Sequence, residues 1–304
     1  MNSSIVSTPA LRRNVPLASY TTLRIGGPAA YFAEPKNEEE LSRFLSWVKQ
    51  EELPFFVLGN GSNVIFDDAG YEGLVISMRH FQNDLIKIDH DQSQVTVSAG
   101  ISLARLVRFC QESGFAGTEF LAQIPGTVGG ALVMNAGFSR YSGQRNEIGD
   151  LVLEIHALQK DGTSVMLGRK DLEFSYRHSN LDKYLLLEAT LKLWRRSKEQ
   201  IRNEIKANHD FRKSRQDIVE PNAGSIFKNP LGLHPAAGAL IEKAGLRGKT
   251  VGGIQVSEQH ANYFINKGNA MAKDVVQLIR EVQKAVFHAN GITLEPEIRI
   301  VQKN

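Results

Sequence analysis

The residues with the greatest chemical potential fall in a few short segments. Arg177 lies in Phe174-Ser175-Tyr176-Arg177-His178-Ser179, beside an aromatic ring and between two strand-like runs. A guanidinium there offers a carboxylate two parallel charge-assisted hydrogen bonds and stays charged while negative charge develops. In Gly224-Ser225-Ile226-Phe227-Lys228-Asn229-Pro230, Lys228 suits a phosphate and Asn229 suits an amide or hydroxyl. No histidine–acid pattern accompanies Ser225 to make it an acyl-transfer nucleophile. Its hydroxyl instead reads as a positioned proton donor, which fits reduction of an activated double bond. Glu295 and Glu297 add acids to the last strand-like run, and their equal parity in an ideal strand leaves the choice between them open. His178 lacks spaced ligand partners and no His-Glu-x-x-His pattern occurs, so no metal is expected.

Two glycine-rich loops suggest a cofactor. Gly59-Asn60-Gly61-Ser62-Asn63 follows an apolar strand-like run directly, and Ile124-Pro125-Gly126-Thr127-Val128-Gly129-Gly130-Ala131 is followed by Asn135-Ala136-Gly137. Neither is a Gly-x-Gly-x-x-Gly fingerprint or a Walker loop. Small residues with backbone donors and hydroxyl or amide side chains nevertheless allow close approach to a pyrophosphate or a large flat ring. Composition alone does not separate flavin from another nucleotide.

These segments need a scaffold, and periodicity predicts a mixed α/β one. Leu41, Phe44, Leu45 and Val48 share a helix face behind Asn37, a candidate cap. Strands are expected at 54–58, 95–99, 151–158 and 184–193, with a helix at 103–110. A charged helical connector spans about 197–213, and the main domain boundary is placed near 198. Further helices are expected at 236–244, ending at Gly245, and along the stripe Val275, Leu278, Ile279, Val282 and Val286, ending at Gly291. Pro296 in the terminal run 294–301 implies an edge strand, or a strand that begins after it.

Composition narrows the classes. The 304 residues are 42% hydrophobic and 23% charged with a net charge of +3, ordinary for a globular protein with two or three domains. The basic stretch Trp194-Arg195-Arg196-Ser197-Lys198 is followed by Glu199 and lacks interleaved aromatic platforms, so no nucleic-acid partner is expected. Cys110 is the one cysteine, which excludes an internal disulfide and an all-cysteine metal site. It shares an apolar helix face with Leu103, Leu106 and Val107 and is expected as a buried, inert thiol. No apolar run approaches the roughly 20 residues that cross a bilayer, and no targeting run opens the chain, so a cytoplasmic protein without membrane insertion is expected.

Seven segments in order resemble the UDP-N-acetylenolpyruvoylglucosamine reductase family over nearly the whole chain. They are Tyr20-Thr21-Thr22-Leu23-Arg24-Ile25-Gly26-Gly27, the loops 59–63 and 124–130, Tyr176-Arg177-His178-Ser179, 223–230, the run 253–262 containing Gln255, and Glu295-Pro296-Glu297-Ile298-Arg299. The resemblance is to the shorter branch, because no long tyrosine-bearing insertion is evident. It implies an α/β (α+β) fold: a two-part FAD-binding region of vanillyl-alcohol-oxidase type (about 1–80 and 81–198), a separate α/β substrate domain (199–291), and a terminal strand (292–304) returning to the N-terminal part.

It further implies noncovalent FAD held by Gly59, Asn60, Gly61, Ser62, Asn63, Ile124, Pro125, Gly126, Thr127, Gly129 and Gly130. NADPH first reduces the FAD and leaves. UDP-N-acetylenolpyruvoylglucosamine then takes its place, receiving hydride at C3 and a proton at C2. The resemblance gives the proton to Ser225, places Arg177 and Glu297 at the enolate-like carboxylate, and sets Tyr176, Lys228, Asn229 and Gln255 against the substrate. A monomer is expected. A flavin oxidase of the same broad fold and a non-enzymatic nucleotide-binding protein are the competing readings, separated from this one by NADPH oxidation that depends on the enolpyruvyl sugar.

Overall fold

The computed structural model describes residues 10–140, 146–216, 219–232 and 234–303. Its helices are α1 (Glu38–Gln50), α2 (Leu103–Ser113), α3 (Val128–Val133), α4 (Lys198–Lys213), α5 (Ala237–Lys243) and α6 (Ala272–Asn290). The chain divides into two units. The first takes in Tyr31–Asn60 and Gly73–Phe211 with residues 10–13; the second takes in Asn14–Ala30, Gly61–Glu72 and the chain from Arg212 onward.

In the first unit, five antiparallel strands run in the order Ser164–Gly168, Val152–Gln159, Tyr184–Lys192, Gln94–Ser98 and Ile86–Asp89. The central strand Tyr184–Lys192 explains its own leucine run. Leu186, Ala189 and Leu191 enter one core with α2 and α3, while Leu185 and Leu187 enter another with Leu41, Phe44, Leu45 and Val48 of α1. Alternate side chains point to opposite faces, so a strand covered on both sides is apolar throughout. A register shift between Leu186 and Glu188 lets the strand depart from strict alternation. Nearby, Phe55–Leu58 pairs in parallel with residues 74–77 and delivers the chain to Gly59.

Local sequence sets the helix ends. Asn37 accepts a hydrogen bond from the Glu40 amide at the start of α1, and Ser102 accepts one from Arg105 at the start of α2. Gly114 and Gly291, both left-handed, end α2 and α6.

The helix α4 departs from the expected boundary near 198, because its buried groups pack within the first unit. The Asn208 Nδ2 donates to the Glu119 carbonyl at 3.2 Å, and the ring of Phe211 lies edge-on to Phe138 at 5.9 Å. The first unit therefore extends to Phe211.

The second unit holds a four-stranded antiparallel sheet in the order Asn222–Ser225, Tyr263–Asn266, Ile254–Val256, Thr250–Val251. Val275, Leu278, Ile279, Val282 and Val286 of α6 are buried in its core. Asp68 caps α6 from a distant part of the chain, accepting from the amides of Ala272 (2.7 Å) and Lys273 (3.0 Å). The terminal strand is Arg299–Val301 and pairs in parallel with Val64–Phe66. It begins after Pro296, whose missing N–H excludes it from a continuous ladder.

Cys110 is fully buried. Burial pushes its thiol up to about 12, and the nearby Glu119 carboxylate adds to the rise against an opposing hydrogen bond from Thr118. At pH 8 the native protein therefore holds almost no thiolate. Iodoacetamide is expected to label Cys110 only after unfolding, as read by intact mass; stoichiometric labelling of the native protein would contradict this assignment.

Candidate active site

Within the first unit, Gly59 of the first glycine-rich loop meets the second loop at Thr127. A Cβ placed on Gly59 would stand 2.7 Å from the Thr127 Oγ1, so only glycine lets these segments approach as they do. Thr127 itself caps α3, its Oγ1 accepting from the Gly130 amide at 3.2 Å. The Gly129 amide donates to the Ala99 carbonyl at 2.9 Å, which seats the loop on the end of strand Gln94–Ser98. Arg79, which sequence reasoning did not single out, donates from Nη2 to the Asn60 carbonyl at 3.0 Å.

Several polar groups here are left for a ligand. Among the described residues, the amides of Gly59, Asn60, Gly126 and Thr127 donate to no protein acceptor. The buried Ser77 hydroxyl, in register with Leu58, likewise has no partner. Unpaired polar groups this close to the approach of Gly59 to the Thr127 side chain match the acceptor-rich pyrophosphate and ring edge of a dinucleotide. The donor set fits FAD.

Tyr176 and Arg177 form the two-residue turn of a hairpin, with Phe174–Ser175 pairing antiparallel to His178–Ser179. Arg177 adopts φ 55°, a left-handed conformation uncommon for a residue with a long side chain. Its Nη2 donates to the Gly137 carbonyl at 3.0 Å, and its guanidinium carbon lies 5.0 Å from the Tyr176 ring centroid. The segment that the sequence places between two strand-like runs is itself a hairpin, and its turn positions this side chain.

Within the second unit, the Ser225 and Glu297 segments are fastened together. The Glu297 amide donates to the Ile226 carbonyl at 2.7 Å, the Lys228 amide to the Glu295 carbonyl at 2.9 Å, and Phe227 bridges Pro296. Asn262, only 2% exposed, grips Phe227 from the other side. Its Nδ2 donates to the Phe227 carbonyl (2.8 Å) and its Oδ1 accepts from the Phe227 amide (3.0 Å). The shared-face reading of Glu295 and Glu297 is corrected here: the regular strand starts at Arg299, so ideal parity does not apply to them. The two acids differ in surroundings. Glu295 is mostly exposed and accepts from the Lys228 Nζ at 2.7 Å.

The remaining second-unit candidates have structural partners. Asn63 Nδ2 donates to the Glu297 carbonyl at 3.0 Å, and the Arg299 amide returns to the Asn63 carbonyl at 3.0 Å. A Cβ on Gly61, at φ 64°, would fall 2.0 Å from the Tyr20 carbonyl oxygen, which accounts for the pairing of the Tyr20-Thr21-Thr22 segment with this loop. Asn229 Oδ1 accepts from the Ala237 amide (3.0 Å), and Gln255 Nε2 donates to the Gly248 carbonyl (3.2 Å). Ser225 is opposite Tyr263 in the sheet, whose ring lies 4.6 Å from that of His260. Burial lowers the pKa of His260, and the charges of Arg247 and Arg212 lower it further, so this imidazole is neutral near pH 7. Among the described residues no cluster of three or more His, Cys, Asp or Glu is arranged to hold a metal.

Comparison with known proteins agrees with this chemistry. The FAD binding domain family matches residues 29–168, the stretch that contains both loops from Gly59 to Asn63 and from Ile124 to Gly130. The fold and the loops define an FAD-dependent oxidoreductase, with a separate α/β domain beyond its FAD-binding region. The C-terminal domain family of UDP-N-acetylenolpyruvoylglucosamine reductase matches residues 216–301. Reductases of this name from Moorella thermoacetica (42% identical, 94% of this chain and 92% of that one) and Bacillus subtilis (39% identical, 96% and 94%) align along nearly their full length. The crystal structure of the Thermus caldophilus reductase superposes with a TM-score of 0.80 at 35% identity, covering 97% of this chain and all of the other. The chain belongs to the UDP-N-acetylenolpyruvoylglucosamine reductase family.

Proposed function

We propose that the chain reduces UDP-N-acetylenolpyruvoylglucosamine to UDP-N-acetylmuramate for peptidoglycan precursor synthesis, using NADPH and noncovalent FAD, and that Arg177, Ser225 and Glu297 are its catalytic residues. The observation that supports the roles of Ser225 and Glu297 is the fastening of their segments to each other, which gives a hydroxyl and a carboxylate a fixed backbone relationship. Bound FAD supplies the transfer of reducing equivalents from NADPH to the enolpyruvyl double bond.

Around that transfer, the residues orient the substrate and move one proton. The Arg177 guanidinium pairs with the substrate carboxylate and gains interaction energy as charge builds toward an enolate. Ser225 Oγ donates the proton to C2, and Glu297 completes the polar surroundings of the same group. Tyr176, Lys228, Asn229 and Gln255 hold the nucleotide sugar; Lys228 exchanges its exposed Glu295 partner for substrate phosphate. Gly59, Asn60, Gly61, Ser62 and Asn63, with Ile124, Pro125, Gly126, Thr127, Gly129 and Gly130, hold the FAD. The FAD-binding region takes in α4 as far as Phe211 in this reading, the substrate domain begins near Arg212, and the terminal strand joins residues 64–66. The protein acts as a cytoplasmic monomer. Among the described residues, no helix is long and apolar enough to cross a membrane.

Purified protein tests this directly. Denaturation is expected to release all of the flavin as FAD, identified by absorbance and chromatography. Flavin that stays with the precipitated chain, or apoprotein that fails to rebind FAD, would reject the noncovalent assignment. Steady NADPH oxidation is expected only with the enolpyruvyl sugar present. A flavin oxidase would instead turn over with oxygen alone.

A further inference from the structure

Beside Arg177 the first unit holds the buried Asn135 and the half-buried Glu147, to which the proposed reaction gives no task. Glu147 Oε1 lies 3.9 Å from Arg177 Nη1, with the two side chains only 14% and 20% exposed. Glu147 Oε2 accepts from Asn135 Nδ2 at 2.8 Å. The same Asn135 nitrogen donates to the Ser175 carbonyl at 2.9 Å, and its Oδ1 accepts from the Gly149 amide at 3.0 Å. Asn135 is buried and, like Arg177, has a left-handed backbone, at φ 43°. One side chain thus ties together the segments 135–137, 147–149 and 175–177.

The Gly137 carbonyl and the Glu147 carboxylate, both beside the guanidinium, share one piece of backbone. Gly137, whose carbonyl accepts from Nη2, forms an isolated antiparallel bridge with Glu147. The carbonyl and the carboxylate are therefore set relative to each other before Arg177 reaches them. At 3.9 Å the carboxylate is farther than a charge-assisted hydrogen bond, so it attracts the guanidinium without claiming a donor at close range. Low exposure limits screening by salt and water. Strained backbone at both Arg177 and Asn135 is sustained only where the surroundings over-determine it, a pattern that gathers at functional sites.

We infer that Glu147 is a positioning residue: its carboxylate, held by Asn135, orients the Arg177 guanidinium for the substrate carboxylate. This rests on the reading of Arg177 as a catalytic residue. A glutamine at 147 accepts the same hydrogen bond from Asn135, so the Asn135 network by itself does not need the negative charge; orientation of the guanidinium does. The charge restricts rotation of the fork, and a pre-oriented fork loses less freedom when substrate arrives.

The test uses the full-length holoenzyme with five forms: the parent, Glu147→Gln, Glu147→Asp, Arg177→Lys and the double variant Glu147→Gln/Arg177→Lys. Anaerobic stopped flow measures reduction by NADPH and reoxidation by saturating enolpyruvyl sugar separately. Nitrogen-15 exchange spectroscopy measures rotation of the Arg177 guanidinium before substrate is added, with Arg177→Lys identifying its signal. Glu147→Gln is expected to slow reoxidation by about 10-fold, leave NADPH-driven reduction within about 2-fold, and speed guanidinium rotation. Glu147→Asp recovers part of the rate, and the glutamine substitution costs no more than about 2-fold once Arg177 is lysine. Three outcomes overturn the inference. Unchanged reoxidation in Glu147→Gln beside a slow Arg177→Lys removes Glu147 and leaves the Arg177 reading intact. Equal slowing of both half-reactions makes Glu147 a structural residue. An Arg177→Lys variant as fast as the parent removes the Arg177 reading itself, and with it any role for Glu147.

Discussion

Replacing Ser225 with alanine slows reoxidation of the reduced enzyme by the enolpyruvyl sugar by at least about 100-fold, the scale of a lost general acid. Folding, FAD content and reduction by NADPH are retained. The structure supports this separation. The Ser225 hydroxyl makes no hydrogen bond among the described residues, so its removal strips no support from the strand Asn222–Ser225. The neighbouring backbone is held independently by Asn262 and by the Glu297 amide. A cysteine at 225 keeps a transferable proton and recovers part of the rate. The measurement is anaerobic stopped flow: reduce first, mix with saturating substrate, and follow the return of oxidised absorbance. An alanine variant that reoxidises within a few-fold of the parent would assign the proton to water or to another acid such as Glu297.

Arg177→Lys loses on the order of 10- to 100-fold in the same half-reaction, with little change in reduction by NADPH. Charge is conserved in this substitution, and geometry is not. The arginine fork places Nη2 on the Gly137 carbonyl while Nη1 faces Glu147. An ammonium is a single point that cannot hold both and still present a planar pair of donors to a carboxylate. The turn itself survives, because lysine meets the same steric cost as arginine at φ 55°. Equal single-turnover rates at saturating substrate in the variant and the parent would remove the transition-state role.

Much of this was legible along the chain because its cause is local. The apolar stripe of α6, the cap residue Asn37 and the terminating Gly291 each act within a few residues of themselves. The glycine-rich loops were visible for the same reason, since close backbone approach leaves a compositional mark. Seven ordered segments then carried the family, and the match to full-length relatives bears that out.

What the chain order could not express is contact between remote segments. The pairing of Gly59 with Thr127, the grip of Asn262 on Phe227, and the meeting of Glu147 with Arg177 through Asn135 join residues 30 to 68 positions apart. No periodicity encodes such pairs. The choice between Glu295 and Glu297 shows the difference most clearly. Sequence parity treated them alike, whereas folding gives Glu295 to Lys228 at the surface and ties the backbone of Glu297 to Ile226 and Asn63. Local propensity and pattern determined which elements form and which loops stay glycine-rich. Tertiary packing alone decided which polar groups share a site, because burial and hydrogen-bond partnership arise only when distant segments exclude water together.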